Sequence, residues 1–184
     1  MYWFKSGLNS VVLFILGLAL LACLPACKPQ IKNNGAFDLS GYFKKEAARL
    51  KKSNRAVVKT VYHNGITETK TVHISNWEQE LGLFIDADIN NPTWRSNYDV
   101  LDEDSVLRYT AKDSSVKVRE ILITRNKQKI RWILIFTQTP KNHLYTTIQK
   151  LVYYPDSLYY LSTRQDVKFM GRNYYRVTGM ISKN

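Results

Sequence analysis

The feature that most limits the fold is a series of strand-like segments joined by links too short for a crossover. Val106 to Ala111, Val116 to Thr124, Ile130 to Thr137, Leu144 to Tyr154, Leu158 to Thr163 and Tyr174 to Ile181 are all rich in β-branched and aromatic residues. Polar links separate most of them: Lys112-Asp113-Ser114, Asn126-Lys127-Gln128, Pro140-Lys141-Asn142 and Pro155-Asp156-Ser157. A parallel connection needs about a dozen residues or more, so these links predict antiparallel neighbours in a meander. In Ile130 to Thr137, Ile130, Trp132, Leu134 and Phe136 alternate with Arg131, Ile133, Ile135 and Thr137. Both faces of that strand are apolar past Arg131, which predicts a central strand covered on both sides.

The first half of the body reads differently. Asp38 or Ser40 can cap a helix running to about Lys52, with Leu39, Phe43, Ala47 and Leu50 on one stripe. Arg55 to Ile74 reads as a hairpin around Asn64-Gly65, because a type I′ turn needs positive φ at both central residues. Ser75-Asn76-Trp77-Glu78 has capping-box spacing, which predicts a second helix through Leu81, Phe84 and Ile85 to Asp88. Ile89 to Asp104 reads as irregular. The expected class is α+β: one strongly twisted antiparallel sheet of about seven or eight strands, with two helices in the N-terminal half. A sheet of that length tends to curl, which suggests a half-barrel around a helix.

The leader carries an address. Lys5 supplies a positive start, and Val11 to Ala22 is an unbroken apolar run. That run is shorter than the roughly 20 residues of a spanning helix and suits a signal peptide. Leu20-Leu21-Ala22-Cys23 and Leu24-Pro25-Ala26-Cys27 both resemble the lipobox of bacterial lipoproteins, with an aliphatic residue, then a small residue, then cysteine. In that family the cysteine thiol receives diacylglycerol, and cleavage in front of it makes it the first residue. Cys23 has the more usual box. Cys27 stands where hydrophobicity stops and Lys28-Pro29-Gln30 begins, so Cys27 is the preferred lipidation site and Cys23 the alternative. The implied organisation is a signal peptide over 1–26, a flexible tether over 27–36 and a single domain over 37–184. Neither cysteine is followed by Asp. In lipoproteins sorted by that position, this implies the outer membrane, with the domain facing the periplasm.

Both cysteines of the chain lie in this leader, so the body has no thiol chemistry and no disulfide. The formal net charge is +12, which favours polyanionic partners. The densest basic run, Lys44-Lys45 through Arg49, Lys51, Lys52 and Arg55, reads first as the solvated face of a helix and second as a patch for an anionic membrane. An exported, tethered domain is not expected to meet nucleic acid.

No catalytic motif or cofactor-binding motif is present, and no cofactor is implied. His63, His73 and His143 lack metal-ligand spacing. Asp86, Asp88 and Asn90 resemble the first half of a calcium loop, but Asn91 and Asn97 stand where Gly and Glu belong, so they are weak metal candidates. Asp99, Asp102, Glu103 and Asp104 concentrate acid in a stretch that reads as loop.

Tyr153-Tyr154, Tyr159-Tyr160 and Tyr174-Tyr175 are adjacent pairs on late strands. Neighbours on a strand face opposite sides, so each pair sends one ring inward and one outward. Tyr154, Tyr160, Tyr174 and Arg176 are the expected outward binding surface. The expected role is that of a membrane-tethered envelope lipoprotein, binding or structural rather than enzymatic. Its expected partners are the membrane through the lipid, and an envelope protein, a glycan or an anionic lipid. Two alternatives stay open. A carrier or sensor of an apolar ligand requires a hollow lined by Trp132, Leu134 and Phe136 that no helix fills. A hydrolase requires carboxylates of the acidic stretch to converge in a cleft.

Overall fold

The computed structural model describes residues 36–91, 94, 96–127, 129–140 and 144–183. The leader with Cys23 and Cys27, the tether as far as 35, and His143 lie outside the described residues.

The helical layer begins with α1, Leu39–Ser53. Asp38 caps it, Oδ1 accepting from the Gly41 N–H at 2.7 Å. Asn54 ends it in the left-handed region, its N–H donating to Leu50 O and Lys51 O. Leu39, Phe43, Ala47 and Leu50 are the buried stripe, while Lys44, Lys45, Lys51 and Lys52 are exposed. Each large side chain in the stripe contributes about 1.5–3 kcal/mol by leaving water.

The second expected helix is two short ones, α2, Trp77–Glu80, and α3, Gly82–Ile85. They meet at Leu81, where the helix breaks. The cap of α2 is Asn76, whose Oδ1 accepts from the Gln79 N–H at 3.1 Å, and not Ser75.

The sheet has nine strands rather than seven or eight. They are β1, Ala56–His63; β2, Ile66–His73; β3, Tyr98–Asp102; β4, Val106–Ala111; β5, Val118–Asn126; β6, Lys129–Gln138; β7, Tyr145–Tyr154; β8, Leu158–Val167; and β9, Gly171–Ile181. The order is β2-β1-β9-β8-β7-β6-β5-β4-β3. Every pairing is antiparallel, so β3 to β9 form the expected meander and the β1–β2 hairpin adds to its far side. The sheet is open, with β2 and β3 as its edges. Asn64 (φ 46°) and Gly65 (φ 99°) make the two-residue turn predicted for the first hairpin.

β3 lies in the stretch read as irregular. Asp99 and Asp102 disguise it, and an edge strand tolerates such charges because they discourage pairing with another chain. β8 and β9 also run further toward each other than expected, leaving only residues 168–170 between them.

The core lies between the helices and one face of the sheet. Ile121, Ile123, Ile133, Ile135, Leu151, Tyr153, Tyr159, Leu161 and Val177 meet Phe43, Leu50, Trp77, Leu81 and Phe84. Tyr153 and Tyr159 stand opposite each other in the β7–β8 ladder. The Tyr153 hydroxyl donates to Glu46 Oε2 of α1 at 2.7 Å, and the Tyr159 hydroxyl to Glu80 Oε1 of α2 at 2.6 Å. Two short charge-assisted bonds thus fasten the helical layer to neighbouring strands. Burial first, and then these hydrogen bonds, push both phenols above the ordinary tyrosine range.

Candidate functional site

Among the described residues no helix covers the other face of the sheet. Strand parity assigns its residues. Ile133 and Ile135 are fully buried beneath the helical layer, so Trp132, Leu134 and Phe136 point the opposite way and are half-buried. The ladder sets Leu134 beside Leu122 and Val152, and Val152 beside Tyr160. Tyr160 then pairs with Thr178, and Ser162 pairs with Arg176.

Tyr154, Tyr160, Tyr174 and Arg176 all lie on this open face. Three ring contacts that the local sequence does not announce add neighbours to them. Trp132 leans on Tyr154 with ring centroids 6.4 Å apart. Tyr62, brought from β1 beside β9, packs edge-on against Tyr174 at 5.5 Å and lies under the Arg176 guanidinium at 5.1 Å. The Ser162 hydroxyl donates to the Tyr174 oxygen at 3.2 Å. Trp132 and Tyr154 thus form one aromatic pair, Tyr62, Tyr174 and Arg176 form a second cluster, and Tyr160 lies between their levels on the same face. Arg108, Lys150 and Arg164 stand around these groups, with Glu120 taking a 3.4 Å contact from Arg108. Tyr62 was missed as a site residue, and Trp132 was expected only in an apolar hollow, because only the β1–β9 and β6–β7 pairings make them neighbours of the others.

Trp132, Leu134 and Phe136 therefore do not line a hollow on the helix side. The helical layer covers their neighbours Ile133 and Ile135 instead. On the helix side a cleft of about 620 Å³ lies between α2 and strands β1, β8 and β9. Lys59, Glu80, Leu161, Thr163, Tyr175 and Val177 are among its walls. Lys59 Nζ lies 2.7 Å from Glu80 Oε1, the oxygen that also accepts from Tyr159. A side-chain ladder leads toward the cleft: the Thr137 hydroxyl donates to Gln149 Oε1 at 3.1 Å, and Gln149 Nε2 donates to Thr163 Oγ1 at 3.3 Å. That ladder satisfies Thr137, a buried polar side chain that would otherwise be costly.

The remaining candidates are held apart or engaged in structure. Asp88 Oδ2 accepts from the Ser40 N–H at 3.2 Å and Oδ1 from the Asn90 N–H at 2.9 Å, joining the end of α3 to the start of α1. Asp86 is exposed at the end of α3, and among the described residues no group of three or more His, Cys, Asp or Glu is placed to hold a metal ion. Asp99 faces Lys112 at 3.9 Å, and Asp102 is paired with Arg125. Both are exposed, as are Glu103 and Asp104, and Arg125 also donates to the backbone carbonyls of Glu103 and Asp104. His63 Nε2 meets Asn173 Oδ1 at 2.9 Å on an exposed hairpin. His73 is exposed at the rim of the cleft. Among the described residues no helix is long and apolar enough to cross a membrane.

Comparison with known family models, curated proteins and solved structures finds no match to this chain.

Proposed function

We propose that this chain is a lipid-tethered envelope protein, anchored through Cys27 or alternatively Cys23, whose open sheet face docks a partner protein. The observation that carries the docking role is the gathering of Trp132, Tyr154, Tyr160, Tyr174, Tyr62 and Arg176 on the face that the helices leave bare. Interface cores are enriched in aromatic residues and Arg and depleted in Lys and Glu, and this face has that bias. The tether rests on the lipobox resemblance and the cysteine-free body.

Photo-cross-linking in the native envelope tests the docking role. A photoreactive side chain at Tyr160 should give one discrete protein adduct, and the same group at Lys45 on α1 should not. Equal adducts at both positions, or none at Tyr160, would refute it.

A second reading is favoured by the cleft beside Glu80, whose volume of about 620 Å³ suits a small ligand. It makes the chain a carrier or sensor. A small molecule retained by the native protein, and lost on Leu161→Trp, would favour it over protein docking.

A further inference from the structure

The β8–β9 hairpin ends in side chains that a water-exposed turn does not need. The loop is Lys168-Phe169-Met170, and Phe169 is 95% exposed and Met170 86% exposed. Phe169 also holds φ at 70°, where a bulky residue is strained and Gly or Asn is at ease. Backbone bonds fix the loop: the Met170 N–H donates to Val167 O at 3.1 Å and the Lys168 N–H to Leu144 O at 2.9 Å. Neither apolar side chain is buried against the domain. Leu144 and Tyr145, 67% and 41% exposed, lie beside this hairpin end. On the β1 side the hairpin runs past a turn whose Asn64 bonds Tyr174, and on the β7 side Tyr145 is level with Val167.

Cations surround these groups. Lys168 Nζ lies 5.3 Å over the Phe169 ring. Arg164 and Arg172 flank the turn, and Asp166, the one carboxylate from 164 to 172, is held by both, at 3.3 and 2.7 Å. Phe169 and Met170 therefore lie past the ends of β8 and β9 with cations beside them.

We infer that this tip is a membrane-insertion wedge: Phe169, Met170, Leu144 and Tyr145 enter the headgroup boundary of an anionic bilayer, while Lys168 and Arg172 meet lipid phosphates. Leu144, Tyr145, Lys168 and Arg172 also edge a hollow of about 440 Å³, whereas Phe169 and Met170 line no part of it and stand exposed, so it is these two side chains that suit a deformable surface. Apolar anchors beside snorkelling cations are the usual interfacial arrangement. A tether from Cys27 to Ala36 spans at most roughly 30 Å when extended, so an acylated residue would keep the domain within reach of the bilayer. The tip would then fix which way the domain faces. Each cation near an anionic surface strengthens binding by about fivefold.

The test uses the full chain with Cys23→Ser and Cys27→Ser, so that Met170→Cys is its only thiol and acylation plays no part. A nitroxide at position 170 is compared with one at Asn126→Cys, at the opposite end of the sheet. The chain is reconstituted in phosphatidylcholine vesicles, with or without about one third phosphatidylglycerol. In the anionic vesicles the 170 label should favour oxygen over a water-soluble relaxation agent several-fold more than the 126 label does. Phe169→Ser or Lys168→Glu should return it to water. Equal accessibility at 170 and 126, insensitivity to Phe169→Ser, or spin–spin broadening from a second copy would each overturn the inference.

Discussion

Gly179 should be nearly intolerant of a methyl group, for a reason that lies on another strand. It sits in β9 opposite Tyr159, and a Cβ at this position would fall well under 3.0 Å from the Tyr159 ring and its hydroxyl. To restore an ordinary contact of about 3.5 Å, the ring must move by about 1.4 Å. The ring is fully buried, edge-on to Trp77 at 6.0 Å, and its hydroxyl is bonded to Glu80. Overpacking alone costs about 1–3 kcal/mol. Disturbing a hydrogen bond to a charged group adds about 1.5–3 kcal/mol. Gly179→Ala should therefore destabilise by about 3–5 kcal/mol in equilibrium denaturation, despite its small size. The decisive assay is the double-mutant cycle with Tyr159→Ala. Without the ring the clash disappears, and Gly179→Ala should become neutral or gain about 0.5–1 kcal/mol from the strand preference of Ala over Gly. A cost under about 1 kcal/mol in the parent, or an equal cost in both backgrounds, would refute the reasoning.

The two faces of β6 should respond differently to truncation: Ile133→Ala should cost about 2–5 kcal/mol and Leu134→Ala clearly less, and equal losses on denaturation would contradict the assignment of faces. Phe43→Ala should cost about 3–5 kcal/mol, because its ring packs against Phe84 at 4.8 Å and Tyr153 at 5.2 Å. Asp156 is raised by burial but lowered more by hydrogen bonds from Arg49 and Arg55, for a net depression. Its stabilisation is present above the unfolded carboxyl value of about 3.9 and is lost as pH falls through the lower folded value. Asp156→Asn should therefore reduce stability at neutral pH by under about 1 kcal/mol, an exposed pair's worth, and flatten the acid side of the melting-temperature profile. An unchanged acid limb would contradict that assignment.

Most of the sheet is legible because its information is local. β-branched runs bounded by turn residues mark the meander, and Asn64-Gly65 marks the hairpin that joins it. What escapes is carried by distant partners. β3 hides behind Asp99 and Asp102, which an edge strand tolerates. The break at Leu81 divides a helix whose apolar spacing reads as continuous. For the proposed docking surface, parity alone puts Tyr154, Tyr160 and Tyr174 on one side of their strands. That Tyr62 lies beneath Arg176 follows only from β1 pairing with β9, and nothing near Tyr62 signals it. The same holds for Glu46 and Glu80, whose buried tyrosine donors lie on β7 and β8. Phe169-Met170 had a local signal that went unused, namely two apolar residues at a turn just before Gly171.

Intact mass spectrometry of the native protein released from membranes tests the tether most directly. The expected product is a mature chain that begins at Cys27, or at Cys23 in the alternative, and carries a diacylglyceryl group on that thiol. A chain that begins at neither cysteine and carries no acyl group would contradict it.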